Sequence, residues 1–521
     1  MIKKLLTVAL FVGISATNTN AQSKLTVDKV YSAYLRNSGA IIEQGQIKGY
    51  FYLIQSDKID RKTNEYTLQI VDENLNKVQD IKFEDTKKLS LLESAYNGGS
   101  LAFLFKNEEE KLLQMKVYDL DGKLKFTYSR PYTKKTDALM AQYETLHTDE
   151  GMNQTVFNLG DKGYISVLPL RDGREQTYEV DMYSSEKKKQ WTYVPDGDDQ
   201  KFAQAEYLGA TDSLVILEVI RKNRRMSGSG TAHLVGINPM TKKKVFDIDD
   251  EKDKWTFVPS SVLPVPGSGK FVAMGNYFDK DANIAKDASK GLAIYEIDNK
   301  GNILNKTYNS WAVDIAKHLP TNTKGKIDNI GYLYIHKMIP TPDGKFFIVG
   351  EGYKKQASAG GIALTALGAM SGSYGNAGVT KVVVTDLVVM EFDGGYKMKD
   401  ARIYDKTNNT VIGGPMSDYV SQHLLAMYIK MTGSFDYEFT TGNPEENNFV
   451  ICYSDWVRSS DYKGETFNSI RYNGTKFTQD KIELKSKASR MRVLPAKSGS
   501  VMIIEYFKKD KRLECRLEKL G

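Results

Sequence analysis

The chain has 521 residues and a formal net charge of +7, with 72 Lys and Arg against 65 Asp and Glu. Charges of both signs are mixed along its length, which excludes the basic stripe of a nucleic-acid binder and leaves ample chain for a large core. Two cysteines, Cys452 and Cys515, exclude a disulfide framework. Cys452 lies in the apolar stretch 449–453 and reads as a buried, inert thiol; a single Cys452–Cys515 disulfide is the alternative.

The first residues have the layout of a secretory signal peptide: Lys3 and Lys4, an apolar run from Leu5 to Ile14, and the small-residue site Thr19-Asn20-Ala21 before Gln22. The run is too short to be retained as a membrane span. Residues 1–21 are therefore expected to be removed and residues 22–521 exported. No cysteine follows the cleavage site, so a lipid anchor is not expected.

From Gly49 onward one phrase recurs eight times: a small residue, an apolar strand, a loop, an alternating strand, then a tight polar turn. The openings are Gly49-Tyr50-Phe51, Gly99-Ser100-Leu101, Gly163-Tyr164-Ile165, Ser213-Leu214-Val215, Gly269-Lys270-Phe271, Gly344-Lys345-Phe346, Asn448-Phe449-Val450 and Gly499-Ser500-Val501. In the second unit Leu113, Met115 and Val117 alternate with polar residues. After the turn Asp119-Leu120-Asp121-Gly122, Leu124, Phe126 and Tyr128 alternate in the same way, a hairpin with one buried face per strand. A period of roughly 40–60 residues built from four short strands predicts propeller blades.

The last unit ends one strand short, and an open last blade would leave a bare edge. The unpartnered stretch Lys24 to Arg36 is expected to pair there and close the ring. The fold class is thus all-β, an eight-bladed β-propeller forming one domain, with seven blades as the nearest competitor and two stacked β-sandwiches as the structural alternative. The turns Ile237-Asn238-Pro239-Met240-Thr241-Lys242 and Glu186-Lys187-Lys188-Lys189-Gln190-Trp191 resemble those of quinoprotein-type propellers. The likeness covers turns only; that family's repeated tryptophan is absent, since the chain holds four Trp.

Segment lengths are uneven. Within blades the long ones are 221–230, 279–290, 354–379 and 457–465; between blades they are 310–329 and 408–433. In a propeller, loops joining second to third strands and blade to blade share one face. That face is expected to carry the decoration, and binding usually resides in such loops. Short helices are expected within 310–319 and 408–433, the latter capped by Ser417.

Two segments are candidate partner-binding elements. The uncharged stretch 357–378 contains Ile362, Leu364, Leu367 and Met370, an apolar surface suited to a partner or a membrane surface. The basic cluster Arg221, Arg224 and Arg225 suits an anionic partner such as a phosphorylated or carboxylated glycan. Asp279, Asp281, Asn283 and Asp287 have partial calcium-loop spacing, but Ile284 and Lys290 replace the required Gly and Glu, so no metal is expected. Ser371-Gly372-Ser373-Tyr374-Gly375 misses a nucleophile elbow at its first position. The five histidines show no metal spacing, and no cofactor is expected. The acids Asp196, Asp198, Asp199, Asp247, Asp249 and Asp250 are candidate carboxylates for glycan cleavage.

The expectation is an exported, non-enzymatic binding or scaffold propeller, periplasmic or envelope-associated, that engages a protein or anionic glycan. A polysaccharide-acting enzyme with carboxylates near the axis and a membrane-surface protein are the alternatives. No nucleic acid is expected as a partner.

Overall fold

A computed structural model describes residues 24–43, 46–137, 155–172, 175–185, 190–195, 202–222, 230–249, 254–284, 286–358, 380–411, 422–443, 446–497 and 499–520. Eight antiparallel sheets follow one another around a ring, each running from an inner to an outer strand. Blade 1 is built on Gln46–Lys58, Thr63–Asp72 and Lys77–Thr86. Its inner position is shared by Ser32–Ala33 and Gly39–Glu43, with a tight turn at Leu35–Asn37 between them. Blades 2 to 8 have inner strands Leu89–Tyr96, Val156–Asn158, Ala203–Ala210, Trp255–Val265, Tyr332–Pro340, Tyr437–Asn443 and Arg490–Pro495. The seven-bladed and sandwich alternatives are thereby set aside.

Each recurring sequence phrase opens on the second strand of a blade. These strands are buried on both faces because they lie mid-sheet between neighbouring blades; in Ser100–Asn107 every residue is buried. The core is accordingly divided into eight wedges, one between each pair of neighbours. Leu101, Phe103 and Phe105 of blade 2 meet Leu53, Leu68 and Ile70 of blade 1, and Met502, Ile504 and Cys515 of blade 8 meet Tyr50, Tyr52 and Ile54 of blade 1. Burying one such aliphatic or aromatic side chain stabilises by about 1.5–3 kcal/mol. The outer strands, such as Phe477–Glu483, alternate between exposed and half-buried.

The ring closes as expected but with less chain. Only Lys24–Asp28 pairs with Arg512–Lys519, completing blade 8. The rest of the stretch to Arg36 belongs to blade 1, so the N-terminal segment ties both blades together.

Third-to-fourth-strand turns are set by an aspartate in blades 1, 2, 5 and 6 and by Asn238 and Asn473 in blades 4 and 7. The Asp298 carboxylate accepts the N–H groups of Lys300 and Asn302, both at 2.9 Å, and Asp72 and Asp393 do the same in their turns. The fourth turn residue takes positive φ: Gly122 at 81°, Gly301 at 88°, but Leu75 at 66° and Tyr396 at 63°. Glycine adopts that geometry without strain; leucine and tyrosine hold it through their packing.

Helix 422–431 begins five residues after Ser417, which lies with residues 412–421 outside the described residues. In 310–319 only one 3-10 turn forms, Ile315–Lys317, where burial of Trp311, Ile315 and Leu319 between blades 5 and 6 fixes the chain. Both cysteines are free and buried, so the disulfide alternative is not realised. Burial raises both thiols, Cys515 to about 12. Among the described residues no helix is long and apolar enough to cross a membrane.

Candidate functional site: the cup on the axis

The inner strands converge on a central cavity of about 1640 Å³, lined by residues of all eight blades. The connections 407–410, 430–433, 462–465 and 484–489 also line it. All join second to third strands or one blade to the next, so the cavity opens on the face that carries the long segments. The opposite face holds the short aspartate turns.

Five inner strands reach the cavity through a bulge. The pairing register skips Leu92, Leu208, Ser260, His336 and Glu438. An extra residue in one strand bends it and re-aims the side chains around it. Ser260, His336 and Glu438 line the cavity at these bulges.

The most heavily built part of the wall lies between blades 6 and 7. Glu351, on the second strand of blade 6, has no exposed side-chain surface. Its carboxylate accepts His336 Nε2–H at 3.0 Å, Lys406 Nζ at 3.1 Å, and the N–H groups of Asp436 and Tyr437 at 3.1 and 3.2 Å. Lys406 also bonds Asp436, which accepts Asn409 Nδ2 at 3.0 Å. Burial disfavours charge on Glu351, but the His336 hydrogen bond and Lys406 hold it below the usual carboxylate range. Burial lowers His336 below the usual imidazole range and pushes Asp436 up to about 7. The His336 ring stacks on Tyr437 at 4.5 Å, with Tyr334 and Phe435 edge-on at 4.9 Å. Its side chain is only 2% exposed. A ring so enclosed positions the wall and does not meet a ligand. Lys406 and Asp436 stand at the two ends of the 405–436 connection, so Glu351 clamps its base.

That connection carries the helix across the mouth. Leu425, Ala426 and Ile429 pack on Tyr353, Val382 and Val384 of blade 6, and Tyr353 OH donates to the Gln422 carbonyl at 2.9 Å. Lys430 then reaches over the Tyr334 ring to bond Glu206 on the inner strand of blade 4. Behind Glu206 its cross-strand partner Glu218 is buried, and burial with the charge of Glu206 pushes it up to about 8. On the far side Arg36 pairs with buried Glu93 at 3.0 Å, and Arg492 donates to the Leu35 carbonyl at 2.7 Å. Burial raises Glu93 against the pull of Arg36. Asp455, also in the wall, accepts Thr407 N–H at 3.0 Å and is raised by burial.

Of the residues expected from sequence, Arg221 ends the second strand of blade 4 on the long-segment face. It is engaged by Asp247 Oδ2 at 2.6 Å and by His233 Nδ1 at 3.0 Å. Arg224, Arg225, Ile362, Leu364, Leu367 and Met370 lie outside the described residues. Asp247 also takes Lys244 at 2.7 Å and lies outside the cup lining, while Asp196, Asp198, Asp199 and Asp250 are outside the described residues. In the calcium-like loop Asp287 accepts Asn283 N–H at 2.7 Å and Asp279 pairs with Lys290. Sequence reading passed over the Glu351 clamp, the Lys430–Glu206 bridge and Trp456. Of these only Glu206 falls in the stretch just before a strand opening, where the inner strand must lie; Glu351 and Trp456 sit in second strands and Lys430 in the connection between blades 6 and 7.

Among solved structures the chain is similar to prolyl oligopeptidase B from Galerina marginata at 8% identity and TM-score 0.39, over 90% of this chain and 55% of that one. It thus spans about half the length of that protein. It is also similar to an oligogalacturonate lyase in complex with manganese (9%, TM-score 0.39, 92% and 99% covered) and to the WD40 domain of Toxoplasma gondii coronin (8%, TM-score 0.34, 96% and 87% covered). Comparison with curated proteins gives no match. The model of DUF6770, a family of unknown function, matches residues 1–521, and the chain belongs to that family.

Proposed function

We propose that this protein is an exported, non-enzymatic binding propeller that takes part of a protein or anionic glycan partner into the cup on its long-segment face. The carrying observation is the cup itself: eight inner strands, five of them bulged, form a polar cavity large enough for a short ligand chain. The clamp at Glu351 and the bridge from Lys430 to Glu206 hold its wall in place, which lowers the ordering cost of binding. The segments that begin at Arg221 and after Ala357 leave from the same face, so the basic cluster and Ile362, Leu364, Leu367 and Met370 are proposed to touch the partner around the mouth. Envelope or periplasmic residence is part of the proposal and is supported by the leader-like layout of residues 1–21.

The test is affinity capture from native envelope with three forms: the wild type, a variant lacking 357–378, and Ser260→Trp, which fills the cavity from an exposed lumenal position. A partner retained by the wild type and lost with Ser260→Trp supports the reading. The same catch from both, or from neither, counts against the cup.

A second reading, an enzyme acting on polysaccharide, is favoured by one observation. Glu93, Asp436 and Asp455 all line the cup, and burial raises all three; such carboxyls are candidate proton donors. Turnover of a glycan that stops in Asp455→Asn, with binding retained, would replace the first reading by this one.

A further inference from the structure

Blade 7 places an aromatic and basic ledge at the rim of the cup. Trp456, near the end of the strand Asn448–Arg458, lines the cavity and is 58% exposed. Exposed tryptophan is uncommon on a soluble surface and marks binding hot spots. Tyr462 stands in the turn that follows; its hydroxyl donates to the Glu465 carbonyl at 2.6 Å, which pins the ring. Lys485 approaches that ring at 5.9 Å. Lys463 and Lys487 also line the cavity, as does Lys337 deeper on the blade 6 wall; none of the three makes an ion pair with a described residue. Ser486, between Lys485 and Lys487, and Ser489, two residues further on, also line the cavity.

We infer that this ledge is a subsite for an acidic oligosaccharide, with Trp456 and Tyr462 under its sugar rings and Lys463, Lys487 and Lys337 facing its carboxylate or sulfate groups. The inference rests on the cup being the binding site and deepens that reading. A pyranose ring is flat and presents C–H groups to a ring face, so the exposed Trp456 ring and the pinned Tyr462 ring suit it without a deep apolar pocket. Its hydroxyls find the serine and amide groups nearby, and its anionic groups find ammonium groups that no protein carboxylate already neutralises. Lys337 reaches water, yet the enclosing wall lowers its ammonium below the ordinary lysine range, so a ligand anion there restores a charge partner. An acidic peptide lacks the repeated flat C–H face, which makes the saccharide the better fit.

The experiment is a binding titration of the full chain against an array of uronate, sialylated and sulfated oligosaccharides. Each is paired with its neutral counterpart, and poly-glutamate serves as the peptide probe. The expected result is at least one acidic glycan bound ~10-fold or more tighter than its neutral form, a difference of about 1.4 kcal/mol. Trp456→Ala weakens both forms by a similar factor, and Lys463→Gln with Lys487→Gln removes the preference for the acidic form. Trp456 and both lysines are exposed, so the variants should keep the wild-type melting temperature, which is measured alongside. Equal affinity for acidic and neutral forms, no effect of Trp456→Ala, or poly-glutamate binding as tightly as any glycan overturns the inference. If no glycan binds while Ser260→Trp still abolishes capture of an envelope partner, the subsite fails and the cup stands. If that capture is indifferent to Ser260→Trp, the cup itself fails.

Discussion

Glu351 illustrates what single residues do here, because four groups bond its two oxygens while its side chain is shut away from water. A buried carboxylate of this kind adds little net stability over an apolar substitute, yet removing its charge leaves Lys406 buried and half-paired. Glu351→Gln should therefore cost about 3 kcal/mol or more in urea unfolding and loosen the 405–436 connection; a loss under about 1 kcal/mol would show that the clamp is not under tension from its charges. Glu218 makes the opposite electrostatic statement. Burial pushes it up to about 8, above the ordinary carboxyl value of 4.5, so the native state binds the proton more tightly than the unfolded chain. The stability this contributes is full below pH 4.5 and lost as pH rises through about 8. Wild type should thus lose stability relative to Glu218→Gln between pH 5 and 8.5, by at most about 1.4 kcal/mol per pH unit, the limit for one proton. Parallel pH profiles for the two proteins would refute the assignment.

At the scale of elements, the helix 422–431 behaves as a strut across the mouth. Its apolar face is anchored on blade 6, but its far end is held by Lys430 on Glu206 of another blade. That pair is partly exposed, at 24% and 41%, so its share of global stability is small, about 1 kcal/mol or less. Its local effect is larger: Lys430→Met should speed amide exchange in 422–431 several-fold with the global unfolding midpoint nearly unchanged. Unchanged exchange would mean the apolar face alone fixes the helix. This element also shows where sequence reading reached its limit. Val420, Leu424, Met427 and Tyr428 gave helical spacing and so a helix within 408–433. Nothing in the spacing tied Lys430 to Glu206, because the two lie 224 positions apart and meet only through ring closure.

At the scale of the molecule, the ring was legible and the cup was not. Second strands are sandwiched between neighbouring blades, so they read as apolar runs after Gly, Ser or Asn, and counting them counts blades. Five inner strands are bulged. The extra residue at His336 or Glu438 breaks the two-residue alternation on which strand recognition depends. The cup is also assembled from a few residues of each blade, so no local motif announces it. Closure by Lys24–Asp28 carries its own consequence, since removing those five residues bares the strand Arg512–Lys519 and exposes Leu25 and Val27's packing surface. The truncated protein should melt several degrees lower and associate with rising concentration in light scattering. An unchanged, monodisperse ring would show that three strands suffice in blade 8.

The central claim, that partners enter through the cup, is tested most directly by site-specific photo-crosslinking in native envelope. A benzophenone side chain is placed at Ser260 in the lumen in one protein, and at Lys300 in a turn of the opposite face in another. Adducts from position 260 and none from position 300 are the predicted result. Adducts from position 300, with position 260 silent, would put the working surface on the wrong side of the ring and contradict the account.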